Sequence, residues 1–187
     1  MTVRKPILLV VMGVSGSGKS TFTTAICHAL GLVSMDGDDL HSQQSVAKMQ
    51  NGIALNDDDR WPWLDRIASY LSDTPGPTGL EPNNGKAVAC SALKRAYRNR
   101  IRHSVNEGLR FVFLDGDRDL IHRRMTSRTG HFMQLELLDS QLATLERPEV
   151  DEEDIITVNT ALAIDQLVAD VIEALHLNSG LVSTSGK

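Results

Sequence analysis

The densest chemistry in the chain lies near its start. Gly13-Val14-Ser15-Gly16-Ser17-Gly18-Lys19-Ser20 matches G-x-x-x-x-G-K-[ST] in full. Its glycines reach backbone conformations closed to other residues and let a phosphate approach the main chain. Successive N–H groups then form an anion nest, and the positive end of a following helix reinforces it. Lys19 brings a full charge to the β- and γ-phosphates. The Ser20 hydroxyl is placed to ligate Mg²⁺, with Thr21 beside it. The pattern predicts ATP and Mg²⁺ on residues 13–21.

Two further constellations could complete a phosphoryl-transfer site. Asp36-Gly37-Asp38 closes a short apolar run, and two carboxylates two residues apart can address different partners. One can act on the Mg²⁺ shell while the other accepts the proton of an attacking hydroxyl. The segment Arg123-Arg124-Met125-Thr126-Ser127-Arg128-Thr129-Gly130-His131-Phe132 suggests a lid. Arg124 and Arg128 stand four apart, a spacing that shares a helix face, and could offset charge on a migrating phosphoryl group.

Strands alternating with helices must position these groups. ILLVVM (7–12) is a continuous apolar run, as a parallel strand buried on both faces requires. A helix follows with Phe22, Ile26, Ala29 and Leu30 on one stripe and Gly31 to end it. Further strands are predicted at 32–36, 86–90, 110–115 and 154–158, and helices at 39–50, from Trp61 onward, 93–106, 117–127, through Leu135–Leu145 and at 162–176. Pro62 is placed in the first turn of its helix, where a missing N–H costs little. Residues 73–85, rich in Pro, Gly and Asn, read as a surface loop. The expected fold is α/β: a doubly wound, five-stranded parallel sheet of the P-loop NTPase kind with a helical lid. One kinase domain is expected over 1–177, its lid at about 124–145, with a flexible tail at 178–187.

Composition narrows the function. The 187 residues carry a formal net charge of −5, which disfavours general binding to nucleic acid or anionic membrane. No apolar stretch reaches the roughly 18 residues of a spanning helix. The basic-then-apolar start runs straight into the glycine loop, so it reads as a strand rather than a signal peptide. Two cysteines, Cys27 and Cys90, make no disulfide framework and fit a reduced, cytoplasmic setting. No N-K-x-D base-reading motif points to a GTPase, and the length suits a compact small-molecule kinase.

GVSGSGKS, MDGDDLH, LNDDDRWPWL, CSALKRAYR, RTGHF and DSQLATLERPE, taken together and in this order, resemble the gluconokinase family over about residues 7–158. The resemblance implies ATP- and Mg²⁺-dependent phosphorylation of D-gluconate at its 6-hydroxyl, feeding the pentose phosphate pathway, in a cytoplasmic homodimer that needs no nucleic acid or membrane. Gluconate presents a carboxylate and five hydroxyls, so its site needs a cation. The candidates are Arg60, Lys94 and Arg98, the last two four apart on one predicted helix, with His131 for a hydroxyl or phosphate. Asp38 is assigned to the 6-hydroxyl, Asp36 and Ser20 to the metal, and Lys19, Arg124 and Arg128 to charge in transfer. Asp57, Asp58 and Asp59 are read chiefly as helix caps. Two alternatives stay open: a related kinase acting on shikimate or a nucleoside monophosphate, and a nucleotide-dependent regulatory protein without catalysis.

Overall fold

The computed structural model describes residues 5–73, 84–105, 108–127 and 133–180. Five parallel strands stand in the order β2-β3-β1-β4-β5: β1 Ile7–Met12, β2 Val33–Asp36, β3 Gly85–Ala89, β4 Leu109–Asp115 and β5 Ile155–Asn159. The helices are α1 Lys19–Leu30, α2 Gln43–Gln50, α3 Asp57–Ser72, α4 Arg95–Ser104, α5 Arg118–Thr126, α6 Met133–Thr144 and α7 Ile164–Gly180. The five-stranded α/β class expected from the pattern is the one observed.

The central strand shows why an unbroken apolar run was needed. Leu8, Val10 and Met12 pack with Trp63, Leu64, Ile67, Tyr97 and Ile101 of α3 and α4. Leu9 and Val11 point the other way, against Phe22 and Ile26 of α1 and Leu167 and Val171 of α7. Both faces of the strand are core, so alternation with polar residues would strand polar groups in it. A smaller cluster of Val14, Leu93, Ile121, Met125 and Leu138 joins the glycine loop to α5 and α6.

Local chemistry corrects two expected elements. The helix expected at 39–50 is split into a 3-10 turn, Gly37–Leu40, and α2. The break falls at Ser42, whose hydroxyl accepts the Ser45 N–H and starts α2 afresh. Helix α3 starts earlier than the Trp61 stripe suggests. Asn56 and Asp59 form a reciprocal capping box, so the acidic turn is the first turn of the helix. Pro62 therefore lies in the second turn, on an exposed face. The last helix continues beyond 176 to Gly180. Residues 74–83 of the predicted loop and 181–187 of the tail lie outside the described residues. No described helix is long and apolar enough to cross a membrane.

Candidate active site

The glycine loop connects β1 to α1 at the C-terminal edge of the sheet, where open parallel sheets bind ligands. Gly13 N–H donates to Ser91 O (3.3 Å), tying the loop to the segment after β3. Gly16 and Gly18 adopt φ of +78° and +97°, which L side chains rarely reach. A Cβ on Gly16 would stand 2.5 Å from Met125 Cγ, so α5 packs directly onto the loop. Lys19 Nζ curls back to donate to Val14 O at 3.0 Å. Burial pushes its pKa down, while Cys90, Asp38 and Asp36 pull it up. Ser15 N–H donates to Gln141 Oε1 at 2.6 Å, a contact reaching from α6.

The acid pair sits on a braced turn. Asp36 Oδ1 accepts the Asp38 N–H at 3.1 Å and caps the 3-10 turn. Gly37 is buried, and a Cβ there would meet Ala89 O at 2.5 Å, so only glycine lets the turn lie against β3. Trp63 Nε1 donates to Gly37 O (2.6 Å) and Arg66 Nε to Leu40 O (2.6 Å), fixing the turn from α3. His41 stacks on Trp63 with ring centroids 4.4 Å apart, and its Nε2 lies 3.9 Å from Asp38 Oδ1. Burial pushes the His41 pKa down against the pull of Asp38. The carboxylates of Asp36 and Asp38 remain exposed.

Two cavities meet at the glycine loop. The larger, about 860 Å³, is lined by Ser15–Gly18, Thr21, Arg124, Met125, Thr160, Leu162, Ile164 and Leu167. Its mixed polar and apolar wall suits a nucleoside. The smaller, about 260 Å³, gathers Lys19, Ser20, Asp36, Asp38, Cys90, Ser91 and Gln141. Ser15, Gly16, Gly18 and Thr21 border both. Among the described residues no cluster of three or more His, Cys, Asp or Glu could hold a metal alone. Ser20 and Asp36, exposed in one cavity, form the sparse oxygen set that suits Mg²⁺, which keeps waters and phosphate oxygens in its shell.

The structure separates the predicted cations. Arg98 is fully buried and ion-paired through Nη2 to Glu152 Oε1 at 2.5 Å; Nε adds a bond to Oε2, and Nη1 reaches the carbonyls of Leu93 and Glu146. Its guanidinium is occupied, which removes it from the gluconate candidates. Lys94 is the cap residue before α4, not its neighbour on a helix face, and its Nζ binds Asp57 Oδ1 and Oδ2 at 2.9 and 3.0 Å. Asp57 also accepts from Tyr97 Oη at 2.5 Å, and these bonds from Tyr97 and Lys94 hold its carboxyl below the usual range. Asp59, not Asp57, supplies the capping carboxylate. Arg60 is half-buried, donates to Leu55 O, and its charge acts on both His41 and Cys90 beside the acid pair. Arg124 lines the larger cavity, where Nη2 donates to Thr160 O at 2.6 Å. Arg128 and His131 lie outside the described residues.

Other site residues escaped the sequence reading. Thr160 and Leu162 line the larger cavity; they follow the last strand at the ligand-binding edge, and that position was a usable signal. His41 stands three residues after Asp38, so its approach to that acid is local and its spacing was a usable signal, whereas Gln141 reaches the smaller cavity by tertiary contact alone. Cys90 is buried, as a core thiol should be, and burial pushes its pKa up to about 12.

No family model matches the chain. The thermosensitive gluconokinase of Escherichia coli is 41% identical over 166 residues, covering 88% of this chain and 82% of that protein. The thermoresistant gluconokinase of the same organism is 38% identical over 170 residues, covering 90% and 93%. A crystal structure of a gluconokinase from Sinorhizobium meliloti superposes with a TM-score of 0.82 at 43% identity, covering 98% of this chain and 99% of that one.

Proposed function

The chain belongs to the gluconokinase family, and on that premise we propose that it transfers the γ-phosphoryl group of ATP to the 6-hydroxyl of D-gluconate, giving 6-phospho-D-gluconate and ADP. The observation that carries the mechanism is the meeting of the two cavities at Ser15, Gly16, Gly18 and Thr21. A nucleoside in the larger space extends its phosphates along the loop, and the terminal one faces the exposed acid pair.

Each side chain then has a physical task. The loop amides and α1 receive negative charge. Lys19, folded onto Val14 O in this state, is within its own side chain's swing of the same space and neutralises charge on the transferring group. Asp38 accepts the 6-hydroxyl proton as the O–P bond forms and the bond to the ADP oxygen breaks. Ser20 and Asp36 would hold Mg²⁺, which supplies electrostatic stabilisation of phosphate oxygens when bound. Arg60 is the candidate cation for the gluconate carboxylate, because Lys94 is already engaged by Asp57 and Arg98 is buried. Enclosure by the segment carrying Arg124 and α6 would exclude water and limit ATP hydrolysis.

A coupled ADP-release assay across sugar acids, shikimate and nucleoside monophosphates tests the reading. Gluconate is expected to give the highest kcat/KM. Faster turnover of shikimate or a nucleotide, or tight ATP binding with no acceptor phosphorylated, would overturn it.

A further inference from the structure

We infer that Gln141 is a further catalytic residue, a donor that extends the loop's amide array toward the phosphoryl group in transfer; the inference rests on the kinase reading above. Gln141 comes from α6, 126 residues beyond its partner, yet its Oε1 accepts the Ser15 N–H at 2.6 Å. It also lines the smaller cavity with Lys19, Ser20, Asp36 and Asp38.

The chemistry follows from the carboxamide itself. It offers one acceptor oxygen and two N–H donors. With Oε1 held by the loop, the planar group is oriented, and Nε2 has no partner among the described residues. A donor is what a phosphoryl group needs as charge redistributes over its oxygens. The Ser15 N–H also polarises the carboxamide, since hydrogen bonds in series strengthen one another. Gln141 thus passes the donor character of the loop one group further, into the cavity it lines with Lys19 and Ser20. The residue is uncharged, so it assists the reacting group without adding to Lys19 a second cation that would hold ADP after transfer.

The position is also mechanically apt. Leu138, one turn earlier on α6, is buried against Val14, Leu93, Ile121 and Met125. Immediately past the helix, Glu146 N–H donates to Leu93 O and Glu146 Oε2 accepts the Arg95 N–H. Gln141 is therefore held from both sides rather than carried on a free arm, as an oriented donor must be.

The test compares wild type with Gln141→Leu and Gln141→Glu. Leu is close in size and removes both functions. Glu keeps an oxygen for Ser15 but has no donor when ionised. For each protein, kcat and KM are measured with gluconate, and the Kd of a non-hydrolysable ATP analogue by calorimetry. Gln141→Leu is expected to lower kcat about 10²-fold, the loss typical of one transition-state donor, with analogue Kd changed less than about 3-fold. Gln141→Glu is expected to be no better than Leu in kcat. Three results would overturn the inference: a Leu variant within about 3-fold of wild-type kcat; tighter analogue binding without loss of kcat, which would make Gln141 a mere competitor for the loop; or rescue by Glu, which would leave only the Ser15 contact as its role. Loss of analogue binding by the Leu variant would also overturn it, by assigning Gln141 to loop architecture. Wild-type turnover of gluconate, measured in the same series, reports separately on the kinase reading.

Discussion

Arg98 Nη2 lies 2.5 Å from Glu152 Oε1, and neither side chain is more than 1% exposed. The pair joins α4 to the segment that follows α6. Arg102 binds the other oxygen of Glu152 and both oxygens of Asp154, while Arg95 reaches Glu149 and Asp151 from the same helix. Arg98 Nη1 also holds the Leu93 carbonyl, next to Ala92, which adopts a left-handed φ of 41°. A basic helix that looked suited to anionic substrate is instead the anchor of the loop beside the phosphate cradle.

Removing one partner of this pair should be costly. Arg98→Ala leaves the buried Glu152 with Arg102 as its remaining cation and the Glu149 N–H as a further donor, and breaking a buried pair costs about 3–5 kcal/mol. Urea unfolding followed by circular dichroism measures this. A loss below about 1 kcal/mol would show that the pair does not anchor the fold.

The pair also makes an acid-dependent contribution. Burial pushes the Glu152 pKa up, but hydrogen bonds from Arg98 and Arg102 outweigh it and hold it at about 2, against 4.5 when unfolded. A depressed carboxyl pKa stabilises the fold above the unfolded value and loses that effect as pH falls from 4.5 toward 2. The contribution is on the order of 3 kcal/mol. Unfolding free energy measured from pH 7 to 2.5 should therefore fall less steeply below pH 4.5 in Glu152→Gln; parallel curves would contradict the assignment.

Lys19→Ala removes the cation of the cradle while leaving its glycines and helix. We expect turnover to fall by several orders of magnitude with an unchanged far-ultraviolet spectrum. Near-wild-type ADP release would contradict the proposed transfer.

Asp38→Asn keeps the shape of the acid pair and removes a proton acceptor. The expected loss in kcat is about 10²–10⁴-fold, with little change in ATP-analogue affinity. Asp36→Asn should instead raise the Mg²⁺ concentration needed for half-maximal rate. Interchanged phenotypes would reverse the two roles.

Arg60→Ala should raise the gluconate KM about 10–100-fold, the effect of losing a charged hydrogen bond of about 1.5–3 kcal/mol. Its KM for ATP should hold. Lys94→Ala should act more through the position of Asp57 and Tyr97, lowering stability with a smaller rise in gluconate KM. A larger KM effect from Lys94 would move the carboxylate contact there.

Much of the molecule could be read along the chain because its signals are local. The apolar run 7–12, the glycine turn, the Phe22–Ile26 stripe and Gly31 each follow from one segment's own periodicity and backbone freedom. Boundaries were less legible where side chains compete with periodicity: Ser42 restarts a helix, and Asn56 with Asp59 starts one before its apolar stripe begins.

The sequence alone determined a phosphate cradle between strand and helix, a carboxylate pair at the end of the second strand, and the alternating order that builds a parallel sheet. Tertiary structure decided which charges are free to meet a substrate. Arg98 carries the same sign as Arg60, but a carboxylate 54 residues away holds it in the core, while Lys94 stays partly exposed in its pair with Asp57, 37 residues away. It also decided that Gln141 would meet Ser15 across the site. Helix periodicity and strand alternation are written within a few residues, whereas a charge is neutralised by whatever the folded chain brings within about 3 Å of it.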